Sequence, residues 1–339
     1  MYESLPYQAV IAGVGSHVPE KVLTNADLEE IVETSDEWIV TRTGIRERRI
    51  LANDKATSDM ALEAARKALI DAKTTPESID MVVCSTFTPD YVFPSTACIL
   101  QAKMGLKNAG CFDLAAACSG FVYGLTVGSQ FISTGKAKRV LVIGADANSC
   151  LVDWKDRNTC VIFGDGAGAV VLEAAPMPKN NLDRRGILSS FLKADGKGWR
   201  HLYQPAGGSL NPPTHDTVEK RMHHIKMEGN KTFKFASRAM SDASLAAIQE
   251  AHLSPSDIDV VVPHQANIRI IKNAVRRIKI PNDRIVINID KYGNTVAASV
   301  GIALDEAYRS GRFNDGSNVL LVAFGAGLTW GGLIIRWGR

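Results

Sequence analysis

The sequence predicts an α/β protein built from two similar halves, and three observations lead there. Ala68 to Cys84, ALIDAKTTPESIDMVVC, matches Ala247 to Pro263, AIQEAHLSPSDIDVVVP, in its small, acidic, Thr/Ser-Pro, Ile-Asp and β-branched positions, an offset of 179 residues. The same offset lays RVLVIGADAN (Arg139 to Asn148) on NVLLVAFGAG (Asn318 to Gly327) without a gap. Near-continuous apolar strands alternate with amphipathic helices, the pattern of a buried, mostly parallel sheet.

Taken in order, each unit reads as an amphipathic helix, a Pro-containing turn and a short Val-rich strand, followed by a second helix and a second apolar strand. The first half spans 1–175 and the second 186–339, joined by the Pro- and Asn-bearing PMPKNNLDRR (Pro176 to Arg185). Residues 188–230, rich in Gly, Pro and polar residues, are expected to form a long loop or cap ending in a strand over HIKMEG (His224 to Gly229). Corresponding strand ends and helix N-termini are expected to face each other across a pseudo-twofold axis, where a site is built.

Composition narrows the function classes. The chain has 339 residues, 45% hydrophobic and 22% charged, ordinary values for a soluble globular protein. A net charge of +3 is too small to point to nucleic acid. The six cysteines, Cys84, Cys98, Cys111, Cys118, Cys150 and Cys160, lack both zinc-site spacing and the density of a secreted disulfide scaffold, which fits reduced thiols in a cytoplasm. The N-terminus lacks the pattern of a signal peptide, and no apolar run is long enough to cross a membrane. A soluble, unprocessed, cytoplasmic protein is expected.

Three polar positions stand out in apolar strand-to-helix contexts. Cys118, in FDLAAACSGFVYGL, falls where a strand gives way to a helix, whose N-terminal N–H groups and dipole favour a thiolate. Taken alone it reads equally as a small buried hydrophobe. His264 follows a Val-rich strand in VVPHQAN, and Asn294 precedes an Ala-rich helix in KYGNTVAASVGIAL. Each has an ordinary reading as well, a satisfied structural histidine and a helix N-cap. Together, a thiolate, an imidazole and a carboxamide supply what thioester chemistry requires: an acyl carrier and two donors for an enolate or oxyanion. GDGAG (Gly164 to Gly168) lacks the Lys-Ser/Thr of a phosphate loop and reads as close-packed structural glycine, and His223 and His224 show no metal-ligand pattern.

The contexts AAACSGF, PHQAN and GNTVAAS resemble the thiolase-like β-ketoacyl synthases, specifically the β-ketoacyl-acyl-carrier-protein synthase III family. The likeness continues through NADLEEIVETSDEWIVTRTGIRERR, VIFGDGAGAVVL and FGAGLTWGG, so it spans almost the whole chain. It implies a five-layered αβαβα thiolase fold and a decarboxylative Claisen condensation. An acyl group, acetyl in the first instance, passes from CoA to Cys118. Malonyl-acyl carrier protein then enters and loses carbon dioxide, His264 and Asn294 hold the enolate, and the carbanion attacks the acyl-Cys118 carbonyl. The oxyanion is expected on the backbone N–H groups of Cys118 and Ala326. Gly325-Ala326-Gly327-Leu328 departs from the family's three glycines and Phe, and a positive φ at Ala326 would carry a Cβ cost.

The resemblance also places Trp38, Arg42 and Arg157 around the adenine of CoA, with Thr34 in the same patch, and Asn230 and Phe233 along the pantetheine channel. Without it, Trp38 and Arg42 would read as a surface cation–aromatic pair four residues apart on a helix. Phe93 matches a residue that narrows the acyl pocket across a homodimer interface, against simple core packing. Lys234, Arg269, Arg276 and Arg277 form a basic group suited to an acidic carrier protein, against a solvated charged face. No metal or redox cofactor is implied, since CoA and phosphopantetheine enter as substrate carriers. Neighbouring readings keep Cys118 with another primer or acceptor, as in ketosynthase-like acyltransferases. A hydroxymethylglutaryl-CoA synthase-like reaction would want a catalytic glutamate that has no convincing candidate here. A non-catalytic carrier-binding subunit would ordinarily lack the nucleophile.

Overall fold

A computed structural model describes residues 5–338, apart from the side chains of Asn181 and Asn230. The first sheet consists of β1 (Tyr7–His17), β2 (Met81–Ser85), β3 (Gly110–Leu114), β4 (Arg139–Asp146) and β5 (Gly166–Pro176), in the order β1-β5-β4-β2-β3. The second consists of β6 (Gly186–Ala194), β7 (Val260–Pro263), β8 (Asn318–Gly325) and β9 (Thr329–Arg336), in the order β7-β8-β9-β6. The 179-residue offset carries β1 onto β6, β2 onto β7 and β4 onto β8. The counterpart of β3 is reduced to one parallel bridge between Val261 and Ile285.

The sheets are mixed rather than mostly parallel. β2 runs parallel to β3 and β4, and β7 parallel to β8, but β5 and β9 are antiparallel to both of their neighbours. In the second half the reason is local. Only Ala326–Leu328 joins β8 to β9, far too few residues for the crossover that a parallel pair requires.

Helices α1 (Asp36–Thr43), α2 (Thr57–Asp71), α3 (Thr96–Met104), α4 (Gly120–Ser133), α5 (Gly229–Glu250), α6 (Ile268–Ile278) and α7 (Ala298–Arg309) complete the layers. Strand alternation assigns them. Val140 and Val142 of β4, with Val319 and Leu321 of β8, join one core with Val122 and Leu125 of α4 and Val300 and Leu304 of α7. Leu141 and Ile143 face the other way, onto α2 and α3, while Leu320 and Val322 face α5 and α6. Two central helices between two sheets, each sheet covered outside by two more, make the five αβαβα layers. Gly168 of β5 lies so close to α7 that a Cβ there would sit 2.6 Å from the Cα of Gly301. This is the close-packed role expected for GDGAG.

The cap is shorter than its sequence suggests. Residues 188–194 belong to β6 and pair with β9, completing the sheet edge. Within HIKMEG only Lys226–Met227 is strand, paired with Leu202–Tyr203. No helix among the described residues is long and apolar enough to cross a membrane.

Candidate active site

Cys118 is 4% exposed and lies where β3 turns into α4. The turn passes through Ala117 at φ 46°, then a single 3-10 turn over Ala117–Ser119. Ser119 Oγ lies 2.8 Å from the Ala116 carbonyl and 2.7 Å from Thr329 Oγ1, tying the turn to β9. The helix N-terminus does not leave the sulfur as a thiolate. Burial pushes the thiol well above its ordinary range and the Asp146 charge adds to that, outweighing the opposing hydrogen bonds from its own N–H and the Asn294 side chain. Cys118 therefore rests as a thiol.

His264 follows β7 directly and is fully buried, its N–H donating to the Val322 carbonyl at 2.7 Å. Ser299, in the first turn of α7, holds its Nδ1 at 2.6 Å. Ser299 Oγ also accepts from the Gln265 N–H at 3.2 Å. With the Ser299 hydroxyl donating to Nδ1, the ring hydrogen sits on Nε2, which has no partner among the described residues. Burial lowers the His264 pKa to about 3, so the ring is a neutral donor at physiological pH.

Asn294 is held by the opposite half. Its N–H donates to the Ile162 carbonyl at 2.9 Å, its carbonyl accepts from Gly164 N–H at 3.0 Å, and its Oδ1 accepts from Val296 N–H at 2.9 Å. The side-chain amide is thereby left to Cys118. Asn294 is not the helix N-cap, a position taken by Ala297.

The duplication explains the oxyanion side. At the 179-residue offset Ala117 corresponds to Val296, Cys118 to Ala297 and Asp146 to Gly325. Both turns contain a left-handed residue, Ala117 at φ 46° and Val296 at φ 51°. Opposite the second turn, Asp146 accepts from Ala297 N–H at 2.9 Å and also gathers the Thr86 and Thr88 hydroxyls and Phe87 N–H. Opposite the first turn stands Gly325, where a Cβ would lie 2.7 Å from the Cys118 nitrogen. One N-terminus is filled by a carboxylate while the other is open beside the nucleophile. Ala326 itself does not adopt a positive φ. That conformation falls on Gly327 at 76° and Leu328 at 48°, so the Cβ cost expected at Ala326 is borne by Leu328.

Two cavities meet at Cys118. One, of about 280 Å³, includes Cys118, His264, Asn294 and Phe324 at its inner end, with Phe233, Asn267, Arg269 and Arg42 along it. The other, of about 130 Å³, is almost wholly apolar, lined by Phe87, Phe163, Leu202, Tyr203, Ile225, Val296 and Ala326. The cap supplies walls to both. At the surface, Arg42 and Arg157 place their guanidinium carbons 4.6 and 5.0 Å from the centre of the Trp38 ring. Arg157 also donates to the Glu33 carbonyl at 2.9 Å, beside Thr34, whose buried Oγ1 has no protein partner. Arg269 lies 5.3 Å from the centre of Phe233, with exposed Lys234 next along α5.

Arg276, Arg277 and Phe93 lie away from the two cavities of this chain. Arg276 and Arg277 lie at the far end of α6, about 10 Å along the helix from Arg269; Arg276 instead lines a surface hollow with Lys272 and Lys279. Phe93 lines neither cavity and does not pack in the core. It is 84% exposed, beside Tyr91 and Val92 at 65% and 90%. The side chain of Asn230 lies outside the described residues. Ser299, Asp146 and Val296 escaped the sequence reading, although Val296 and Ser299 stand inside the quoted GNTVAAS motif, and Gly325 entered it only as part of the oxyanion turn.

Residues 112–196 match the family model for 3-oxoacyl-[acyl-carrier-protein] synthase III, and residues 248–337 match the model of its C-terminal part. The beta-ketoacyl-[acyl-carrier-protein] synthase III of Caldanaerobacter subterraneus subsp. tengcongensis is 55% identical over 98% of each chain. This chain belongs to the synthase III family. The crystal structure of the Aquifex aeolicus synthase III is 43% identical and superposes with a TM-score of 0.88 over 97% of this chain and 100% of that one. The priming beta-ketosynthase of the R1128 polyketide pathway is 33% identical, with a TM-score of 0.90 over 100% and 99%. As a synthase III, the protein is a condensing acyltransferase with the thiolase-like fold.

Proposed function

We propose that this synthase III primes type II fatty acid synthesis from acetyl-CoA or a similarly short acyl-CoA, with Cys118 as the acyl carrier. The observation that carries this reading is the junction at Cys118 of a polar-ended tunnel and a smaller apolar cavity. The acyl group fits the apolar side, and a phosphopantetheine arm fits the tunnel. In the first stage the Cys118 sulfur forms a bond to the acyl carbon and the CoA sulfur leaves with the thiol proton. The transfer thus leaves the charge of the buried site unchanged, in keeping with a neutral resting thiol. The N–H groups of Cys118 and Ala326, with Gly325 giving access, are assigned the tetrahedral oxyanion.

In the second stage malonyl-acyl carrier protein loses carbon dioxide, and the released electron pair is held as an enolate by the His264 Nε2–H and the Asn294 amide. Both are neutral donors inside an apolar wall, where such bonds are strongest. The carbanion then forms the new carbon–carbon bond, the Cys118–carbon bond breaks, and the thiolate takes a proton from solvent. Trp38, Arg42, Arg157, Thr34, Asn230 and Phe233 are assigned to CoA and pantetheine, and Lys234 and Arg269 to the carrier protein at the tunnel mouth, with Arg276 and Arg277 farther along the same face. The exposed Tyr91-Val92-Phe93 segment supports a homodimer, in which Phe93 would reach the partner's acyl cavity. The reading places the enzyme in the cytoplasm, with no cofactor beyond its substrate carriers.

The likeness to the priming beta-ketosynthase favours one second reading, the same two stages with a polyketide carrier as acceptor. A substitution separates catalysis from mere carrier binding. Cys118→Ser is expected to abolish self-acylation by acetyl-CoA while leaving acyl-carrier-protein binding unchanged, measured by intact mass and by titration calorimetry. Unimpaired product formation by that variant would overturn the proposal.

A further inference from the structure

Val296 occupies the left-handed region at φ 51°, where a β-branched side chain is a genuine outlier. The left-handed turn itself is required in both halves, since Ala117 repeats it at φ 46°. The branched side chain is not required by the turn, because Ala117 manages with a methyl group and glycine would carry no strain at all. Such strain persists where the surroundings over-determine it, and it concentrates at functional sites. The surroundings here are the acyl side of the nucleophile. Val296 is 1% exposed, packs in one cluster with Cys118, Phe163 and Ile225, and lines the apolar cavity together with Ala326.

We propose that Val296 is a specificity-determining residue, whose branched side chain narrows the acyl cavity and restricts the primer to short acyl groups. The inference rests on the proposed acyl transfer to Cys118. The cavity holds about 130 Å³. That is just under the roughly 150 Å³ of an apolar cavity that takes one benzene ring, so a short acyl group fits while a longer chain must push back the cavity wall, of which Val296 is part. Val296→Ala removes both γ-methyl groups and opens the cavity where a longer chain would run.

The test is the ratio of Cys118 labelling rates with hexanoyl-CoA and acetyl-CoA, followed by intact mass on the wild-type chain and on Val296→Ala and Val296→Gly. A methylene in an apolar pocket changes selectivity by about 10- to 200-fold, so the ratio is expected to rise at least tenfold in both variants. Val296→Gly suits the left-handed turn and keeps the test decisive if Val296→Ala folds poorly. Variants that label at the wild-type ratio, or that lose acetyl labelling without gaining hexanoyl labelling, overturn the role of Val296 while leaving acyl transfer intact. A wild-type chain labelled by neither primer overturns the acyl-transfer reading, and this inference with it.

Discussion

Three buried side chains set the chemistry, and burial fixes the charge of two of them. Cys118 is held as a thiol and His264 as a neutral ring, so neither titrates as its free amino acid would. Alkylation of Cys118 by iodoacetamide, read by mass, should therefore be slow at pH 7 and keep rising about tenfold per pH unit to pH 9 without a plateau. A plateau near pH 7 would mean that the helix N-terminus outweighs desolvation. The Ser299 hydroxyl that holds His264 Nδ1 can be tested separately. Ser299→Ala should slow malonyl-carrier decarboxylation by about tenfold, the worth of one buried hydrogen bond, with self-acylation of Cys118 nearly unchanged. Equal loss in both stages would assign Ser299 a structural role only. Cys118, His264 and Asn294 were legible in the sequence because each sits alone among apolar residues at a strand-to-helix junction. Ser299 was not, since a serine in a helical first turn has an ordinary capping explanation and its partner lies 35 residues away.

At the scale of elements, the site is made by two copies of one device that have diverged where Cys118 answers to Ala297 and Asp146 to Gly325. A strand end faces the N-terminus of a central helix in each half. Where the second half's turn receives the Asp146 carboxylate, the first half's turn meets Gly325 and stays open. Gly325→Ala should reduce acylation of Cys118 by about 10²–10³, the usual cost of disabling an oxyanion donor, because its Cβ would come within 2.7 Å of the Cys118 nitrogen. Stopped-time intact mass with acetyl-CoA measures this, and near-normal acylation would show that the N–H of Cys118 is not used. The offset already pairs Asp146 with Gly325 in the aligned RVLVIGADAN and NVLLVAFGAG. What the alignment does not reveal is that each residue serves the other half's turn, since only the packing of the two sheets around α4 and α7 brings them there.

Over the whole molecule, the gapless offset made the duplication legible, and strand alternation made the buried sheets legible. Strand direction was not, because an apolar strand buried on both faces reads the same whichever way it runs. β6 was absorbed into the cap for a related reason, its apolar residues running straight into a Gly- and Pro-rich stretch. Phe93 shows the same limit at the surface, since the apolar run YVF reads alike whether it packs in a core or stands exposed. The layered fold brings a tunnel and an apolar cavity to the same sulfur, and a two-stage condensation fits that junction. Its most direct test is intact-protein mass during a pulse of acetyl-CoA and a chase with malonyl-acyl carrier protein. The account predicts an acetyl mass on Cys118 that disappears as 3-oxoacyl carrier protein forms. An acetyl mass that persists through the chase, or none at all, would contradict it.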